Sequence, residues 1–287
     1  MTQTVLILGA SGRFGRAAET AFADASWQVR RFQRGTDLTR AAEGADVIVN
    51  AWNAPHADWA KQLPVFTQQA IAAARSSGAQ LIVADNLYVY GPDAPADLRA
   101  ETPHLAKAPL GRLKAEAAAA YCDADLPVTV LRGGDFFDTR ASGNWFNKVL
   151  AAKARRGRLT YPGALDRPHA WAFLPDMARA AVALAEQRGR LPRHHEVLFP
   201  GYTLTGAGLA QVVGDALQRQ VTPRGFSWWQ IQAARPFWPD AKHLIEMRYL
   251  WDTPHRVDPA GFDALLPAFQ PTPLPEAVQA ALAPLSA

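Results

Sequence analysis

Thr4-Val5-Leu6-Ile7-Leu8-Gly9-Ala10-Ser11-Gly12-Arg13-Phe14-Gly15 is the stretch that decides the fold of this chain. A short apolar run breaks at glycines and resumes as a helix, in which Phe14, Ala17, Ala18, Ala21 and Phe22 stand at i, i+3, i+4, i+7 and i+8 on one face. Gly9, Gly12 and Gly15 have separate tasks in such a junction. One turns the chain tightly, one lets backbone N–H groups approach a ligand, and one lets the helix pack close to the strand. The helix start adds unpaired N–H groups and a partial positive charge, which together favour an anion. A second strand follows at Gln28 to Gln33, and a third, Ala45-Asp46-Val47-Ile48-Val49-Asn50, ends in small and polar residues. The unit reads as a dinucleotide-binding βαβ fold. Gly9, Ser11, Gly12, Arg13, Phe14 and Gly15 would hold the diphosphate, with Ala51 and Trp52 where the third strand opens onto the cleft.

The end of the second strand selects between the nicotinamide cofactors. A carboxylate there would accept hydrogen bonds from a ribose 2′-OH and repel a 2′-phosphate. In Val29-Arg30-Arg31-Phe32-Gln33-Arg34 that position holds Gln33, and Arg34 follows. A guanidinium can hold a phosphate bidentately, and Arg13 could close over the same group. NADP(H) is therefore expected ahead of NAD(H). Strand alternation sends Arg30 and Arg31 to opposite faces, so they cannot both serve that site.

The 287 residues suffice for one large domain or two joined ones. No apolar run approaches the roughly 20 residues of a membrane helix. The first apolar segment is short, lacks a basic leader and runs into the glycine loop, so no signal peptide is expected. A single cysteine, Cys122, excludes an internal disulfide and suits the cytoplasm. At the end of an alanine-rich helix it reads as a small packing residue. The net charge of +4 is mild. Its densest cluster, Lys153 to Arg158, has no interleaved aromatics and reads as a solvated helix end, not a nucleic-acid site. His194-His195-Glu196 sends adjacent histidines to opposite strand faces with no spaced third ligand, so no metal is expected.

Strands and helices alternate over two-thirds of the chain, which implies an α/β fold: a Rossmann-type doubly wound parallel sheet. Residues 1–190 form the dinucleotide-binding domain, with 135–170 contributing to the substrate cleft. Residues 191–287 form a smaller C-terminal α/β substrate region, rich in proline and tryptophan (Trp228, Trp229, Trp238, Trp251), over the open end of the sheet. A fourth strand is expected at Gln80 to Ala84, after a helix that ends at Gly78 and in which Pro64 marks a first turn or a kink. A helix over Lys107 to Asp123 and a strand over Pro127 to Arg132 follow. Asp176 and Thr205 read as helix N-caps. Trp52, Trp145 and Trp171 would line a pocket for a small molecule of partly apolar or aromatic character.

Several degenerate motifs, in order and spacing, resemble the extended and atypical branches of the short-chain dehydrogenase/reductase superfamily, often called NAD-dependent epimerase/dehydratase-like. After the glycine loop, Asp37-Leu38 is similar to the family's acidic-Leu pair beside the adenine. Leu87-Tyr88-Val89-Tyr90-Gly91-Pro92 resembles its Val-Tyr-Gly segment, and Gly111-Arg112-Leu113-Lys114-Ala115-Glu116 its active-site helix. Leu131-Arg132-Gly133-Gly134 resembles the turn near the nicotinamide, which brings in Gly134, and Phe173-Leu174-Pro175-Asp176 a helix start. The resemblance implies a phenol four residues before a lysine on one helix face. The lysine lowers the phenol's pKa and holds the ribose, while a serine or threonine orients the substrate oxygen.

Lys114 is present, but Leu110 stands where the phenol should, and Asn86 replaces the hydroxyl residue. Leucine cannot transfer a proton. Tyr88 is the first candidate to replace the phenol, with Asn86 on a substrate carbonyl; Asp135 or His169 could serve instead. His169 and Asp166, in a proline-containing loop, also read as turn residues. The catalytic set expected is Lys114, Asn86 and Tyr88, in an oxidoreductase or epimerase acting on a carbonyl or hydroxyl of a small molecule. The alternative is an NADP(H) sensor without turnover. Helices around 64–77 and 107–123 are candidates to pair across a homodimer, and Leu110→Tyr would create weak reductase activity if the cleft is open at that point.

Overall fold

The computed structural model describes residues 2–286. The first half follows the order set by the glycine junction: β1 (Thr4–Leu8), α1 (Arg13–Asp24), β2 (Gln28–Arg31), α2 (Leu38–Ala42), β3 (Val47–Asn50), α3 (Trp59–Ser77) and β4 (Gln80–Asn86). Then come β5 (Asp97–Leu98), α4 (Pro109–Cys122), β6 (Val128–Gly133), β7 (Asp135–Phe137), β8 (Arg158–Tyr161), β9 (His169–Phe173), α5 (Leu174–Glu186) and β10 (His194–Leu198). Six parallel strands lie in the order β10-β6-β4-β3-β1-β2. Because β1 is flanked by β2 and β3, the winding reverses there, and a crevice opens between the carboxyl ends of β1 and β3.

The period-two alternation of β1 puts one helix layer on each face of the sheet. Val5 and Ile7 pack with Phe14, Ala18 and Phe22 of α1 and with Met177 and Ala181 of α5. Leu6 and Leu8 pack on the opposite side with Ala70 and Ile71 of α3 and Ala117 and Tyr121 of α4. The sheet is therefore doubly wound. Its sixth strand, β10, comes from beyond residue 190, so the main sheet draws on the region expected to lie C-terminal to it.

The C-terminal part adds β11 (Tyr202–Leu204), α6 (Gly206–Ala216), β12 (Thr222–Gly225), α7 (Trp228–Ala234), α8 (Ala241–Glu246), β13 (Arg256–Val257), α9 (Ala260–Leu265) and α10 (Leu274–Leu282). It attaches through short ladders, with β11 antiparallel to β9, β12 parallel to β8, and β13 parallel to β5. A third core joins Phe146, Trp171 and Phe173 to Leu209, Val213 and Val278. No helix among the described residues is long and apolar enough to cross a membrane.

Several local expectations change. Thr205 caps α6 through a hydrogen bond accepted from the Gly208 N–H, but the N-cap of α5 is Phe173. Asp176 lies inside α5 and accepts from both the backbone N–H and the hydroxyl of Thr272 at 2.7 Å, tying the C-terminal segment down. Pro64 sits inside α3, past its first turn. Cys122, at the end of α4, is exposed and lies outside the core. Trp171 is fully buried and belongs to the core, not to a pocket wall.

The glycine loop tolerates no side chain at its third glycine. A Cβ on Gly15 would stand 2.1 Å from the Gly9 carbonyl oxygen and 2.8 Å from Ala10 Cα, both backbone. Gly15→Ala is expected to destabilise the protein by about 2 kcal/mol, the usual scale of overpacking against groups that cannot yield. Urea unfolding measures this directly.

Candidate active site

Gly9 turns the chain at φ +82° and lies so close to β3 that a Cβ would meet the Ala51 carbonyl oxygen at 2.8 Å. Gly12 donates to the Gly9 carbonyl and begins α1, which has no side-chain cap and no acidic residue in its first turn. The N–H groups of Arg13 and Phe14 therefore border the crevice without protein partners among the described residues. They border a cleft of ≈ 430 Å³ that also touches Gly9, Ser11, Gly12, Arg34, Ala51, Trp52, Asn86 and Lys114. An anion is the group that these amides and glycines suit, so the residues present fit a dinucleotide diphosphate.

The other expected binding residues do not line this cleft. Gly15 serves the helix–strand contact and does not line the cleft. Asp37 caps α2, accepting from the Arg40 N–H, and Leu38 packs against the core beneath it. Gly134 is pressed against β9, where a Cβ would meet the Ala170 carbonyl oxygen at 2.1 Å. Arg13 does not close over the adenosine end. Its Nε and Nη2 donate to the carbonyls of Ser142 and Gly143 at 2.9 Å, across the opposite side of the cleft. Of the two arginines, Arg34 alone remains at the expected adenosine end, bordering the cleft with its guanidinium 5.6 Å from the Phe66 ring centroid. Arg31 pairs with Glu19, and Arg30 bonds the Glu43 carbonyl.

The lysine of the expected catalytic set has a partner that the sequence reading missed. Lys114 Nζ lies 2.6 Å from Asp85 Oδ1 and 4.7 Å from the Trp59 ring centroid. The second oxygen of Asp85 takes Arg132, which is 0% exposed. Arg132 reaches on to Glu196 through Nε at 3.0 Å and Nη2 at 3.1 Å, and His104 meets Glu196 at 3.3 Å. Burial acts to raise the Asp85 pKa, but Lys114 and then Arg132 outweigh it and hold the carboxyl below the usual range. Glu196 behaves alike: burial opposes its charge, and bonds from His104 and Arg132 bring it to about 2. A sequence signal for this existed. Asp85 and Arg132 both end buried apolar strands, where an ion needs a counter-ion.

Leu110 is 1% exposed and packs with Ala54, Trp59 and Met247. The phenol's place is thus filled by apolar side chains, and Leu110→Tyr would overpack it instead of opening a reductase site.

Beyond Asn86 the cleft continues into an inner pocket of ≈ 100 Å³, which shares Arg13, Asn53, Asn86 and Phe136 with it. Asn86 Oδ1 accepts from the Tyr88 N–H at 3.0 Å, leaving Nδ2 without a partner among the described residues. Tyr88, His56, Trp145, Asp135 and His169 line the inner pocket, and Gly134 borders it. Burial, and next the Asp135 charge, push the Tyr88 phenol far above its ordinary range, so it keeps its proton at neutral pH. Burial also lowers His56, which stands edge-on to Trp59. His169 does not sit in a turn: it opens β9, is 2% exposed, and bonds Asp135 Oδ2 through Nε2 at 2.7 Å.

Neither family models nor curated protein sequences match this chain. Solved structures match its fold. UDP-glucuronic acid 4-epimerase from Bacillus cereus, in complex with UDP-glucuronic acid and NAD, has a TM-score of 0.76 at 14% identity, over 99% of each chain. MoeE5, in complex with UDP-glucose and NAD, has a TM-score of 0.74 at 16% identity, over 98% of this chain and 97% of that one. The NAD-dependent NDP-hexosamine 5,6-dehydratase TunA of tunicamycin biosynthesis has a TM-score of 0.74 at 14% identity, over 98% and 97%. The fold is thus the one that these NAD-bound or NAD-dependent epimerase and dehydratase structures share.

The ion network predicts an acid limb of stability. Glu196 has a folded pKa of about 2 against an ordinary 4.5, so its contribution is complete above 4.5 and is lost as pH falls towards 2. The Tm gap between the parent protein and Glu196→Gln should be widest at neutral pH and narrow steadily below 4.5. Differential scanning calorimetry across that range checks it.

Proposed function

We propose that this chain is a nicotinamide-dinucleotide-dependent oxidoreductase or epimerase that acts on a carbinol or carbonyl carbon of a small molecule, with an active site that departs from the phenol–lysine arrangement. The observation that carries this reading is the continuity of two spaces. A glycine-walled cleft with free helix N–H groups opens into a pocket where Asn86, Tyr88, Asp135 and His56 converge. The dinucleotide supplies or removes hydride. The chain holds its diphosphate at the Arg13 and Phe14 amides, offers Asn86 Nδ2 to a substrate oxygen, and walls the pocket with rings that exclude water. Those rings (His56, Trp59, Tyr88, Phe136, Trp145) suit a substrate with an apolar or flat face. The matched enzymes solved with ligands carry UDP-sugars, which makes such sugars the other class to test.

One observation favours a second reading, a dinucleotide sensor without turnover: Leu110 is packed into the phenol's place while Asp85 neutralises Lys114. A sensor would discriminate oxidised from reduced dinucleotide and turn over nothing.

The cofactor's identity rests on two opposed observations. Two matched structures hold NAD, and the third enzyme is described as NAD-dependent, which weighs towards NAD(H). Arg34, beside the cleft and without an acidic partner among the described residues, is the feature that favours NADP(H). If Arg34 reads a 2′-phosphate, calorimetric titration gives NADPH an advantage of about tenfold over NADH, as one charge-assisted bond would supply. Arg34→Ala then abolishes that advantage and leaves NADH affinity unchanged. Equal binding of the two by the parent protein makes NAD(H) the cofactor.

A further inference from the structure

Granted the oxidoreductase reading, we propose that Asp135 exchanges the proton with the substrate oxygen and that His169 is its positioning residue. The phenol's wall of the site, α4, offers no proton carrier: Leu110 is apolar and Lys114 is bound to Asp85. Across the inner pocket stands Asp135, the first residue of β7, immediately after Gly133, which ends β6, and Gly134. Gly134 lets β7 lie against β9, and the parallel register sets Asp135 beside Trp171, two residues from His169.

The two members of the pair are not equivalent. His169 is 2% exposed, with its ring stacked on Trp251 at 4.6 Å and 9° and edge-on to His255 at 4.4 Å; its Nε2 is taken by Asp135 and its Nδ1 is buried, so neither ring nitrogen is open to a substrate. Asp135 keeps 23% of its side chain exposed and lines both the inner pocket and the space behind it. A carboxylate only accepts, so His169 Nε2 carries the hydrogen and donates to Oδ2. His169 Nδ1 is buried without a partner among the described residues. The pair thus presents one carboxylate oxygen to the pocket, held in orientation by a ring that is itself clamped between aromatic neighbours.

The groups facing Asp135 are Tyr88 just past β4, Tyr161 from β8, His169 from β9 and His255 beside it, with Arg13 of α1 and His56 on the same pocket wall. Burial and then the Asp135 charge push both phenols up, so neither competes as a base. Burial and then His169 lower His255 to about 4, so it stays neutral at pH 7. In the oxidative direction the substrate O–H proton passes to Asp135 as the carbinol C–H bond breaks. The hydride, with both electrons, goes to the oxidised nicotinamide dinucleotide, and the carbon becomes a carbonyl. Reduction reverses each transfer, with protonated Asp135 returning the proton.

The test pairs steady-state turnover with calorimetric binding of NADH and NADPH, for the parent protein and for Asp135→Asn, Asp135→Glu and His169→Gln. The probes are UDP-glucose, UDP-glucuronic acid and a set of ring-substituted acetophenones, with both dinucleotides in both redox states. Asp135→Asn should lower kcat by about 100-fold or more, leave dinucleotide affinity within about twofold, and remove one limb of the kcat pH profile. Asp135→Glu should restore part of the rate, and His169→Gln should lower kcat more than it raises KM. An Asp135→Asn variant that keeps its turnover and pH profile overturns the assignment and leaves the oxidoreductase reading standing. One that loses dinucleotide binding along with turnover makes Asp135 structural and also overturns it. A parent protein that binds dinucleotide but turns over no probe brings down the oxidoreductase reading, and this assignment with it.

Discussion

Asp85 has to balance two cations at the carboxyl end of the middle strand, and the organisation of the site follows from that requirement. Arg132 is fully buried and Lys114 nearly so, and neither charge could stay there uncompensated. One carboxylate oxygen goes to each, and Glu196 takes the other side of Arg132. Removing one partner of such a buried set typically costs about 3–5 kcal/mol, because the remaining ions stay buried without compensation. The network therefore fixes the end of β4 against β6, β10 and α4 at the point where β4 turns into the cleft.

That fixation has a chemical consequence. A lysine already bound to a carboxylate, facing a leucine instead of a phenol, cannot lower the pKa of a proton carrier on its own helix. Tyr88, a phenol on the pocket wall, is buried beside Asp135, and burial and then that charge outweigh the opposing charge of Arg13, so its proton is held more tightly. The polar groups with freedom to act lie on the far wall, where β7 and β9 meet. In the mechanism we propose, binding and proton handling are divided between the two halves of the cleft: helix amides and glycines of the β1–α1 junction on one side, a clamped carboxylate on the other.

The β1–α1 junction was legible because its demands are local. Glycine at three positions, one apolar helix face and an unpaired helix start all show in consecutive residues, and the alternation of the later strands then implied the sheet. The substitutions at Leu110 and Asn86 were equally plain. Contacts between residues far apart in the chain were not. Arg13 looked free to meet a nucleotide phosphate, yet it spans to carbonyls about 130 positions away. Lys114 looked like a ribose ligand awaiting its partner, yet Asp85 supplies one. Asp176 looked like a cap because Pro175 precedes it, but its bonds go to Thr272. His169 seemed to lie in a turn because Arg167-Pro168 precede it, whereas the ladder with β7 and β11 makes it a buried strand residue.

A crystal structure of the protein with bound dinucleotide tests the central claim most directly. The account predicts the diphosphate against the amides of Arg13 and Phe14, Lys114 still bonded to Asp85, and the nicotinamide ring turned into the inner pocket towards Asp135. A vacant glycine crevice in crystals grown with saturating dinucleotide, or a nicotinamide ring turned out to solvent away from Asp135, would contradict it.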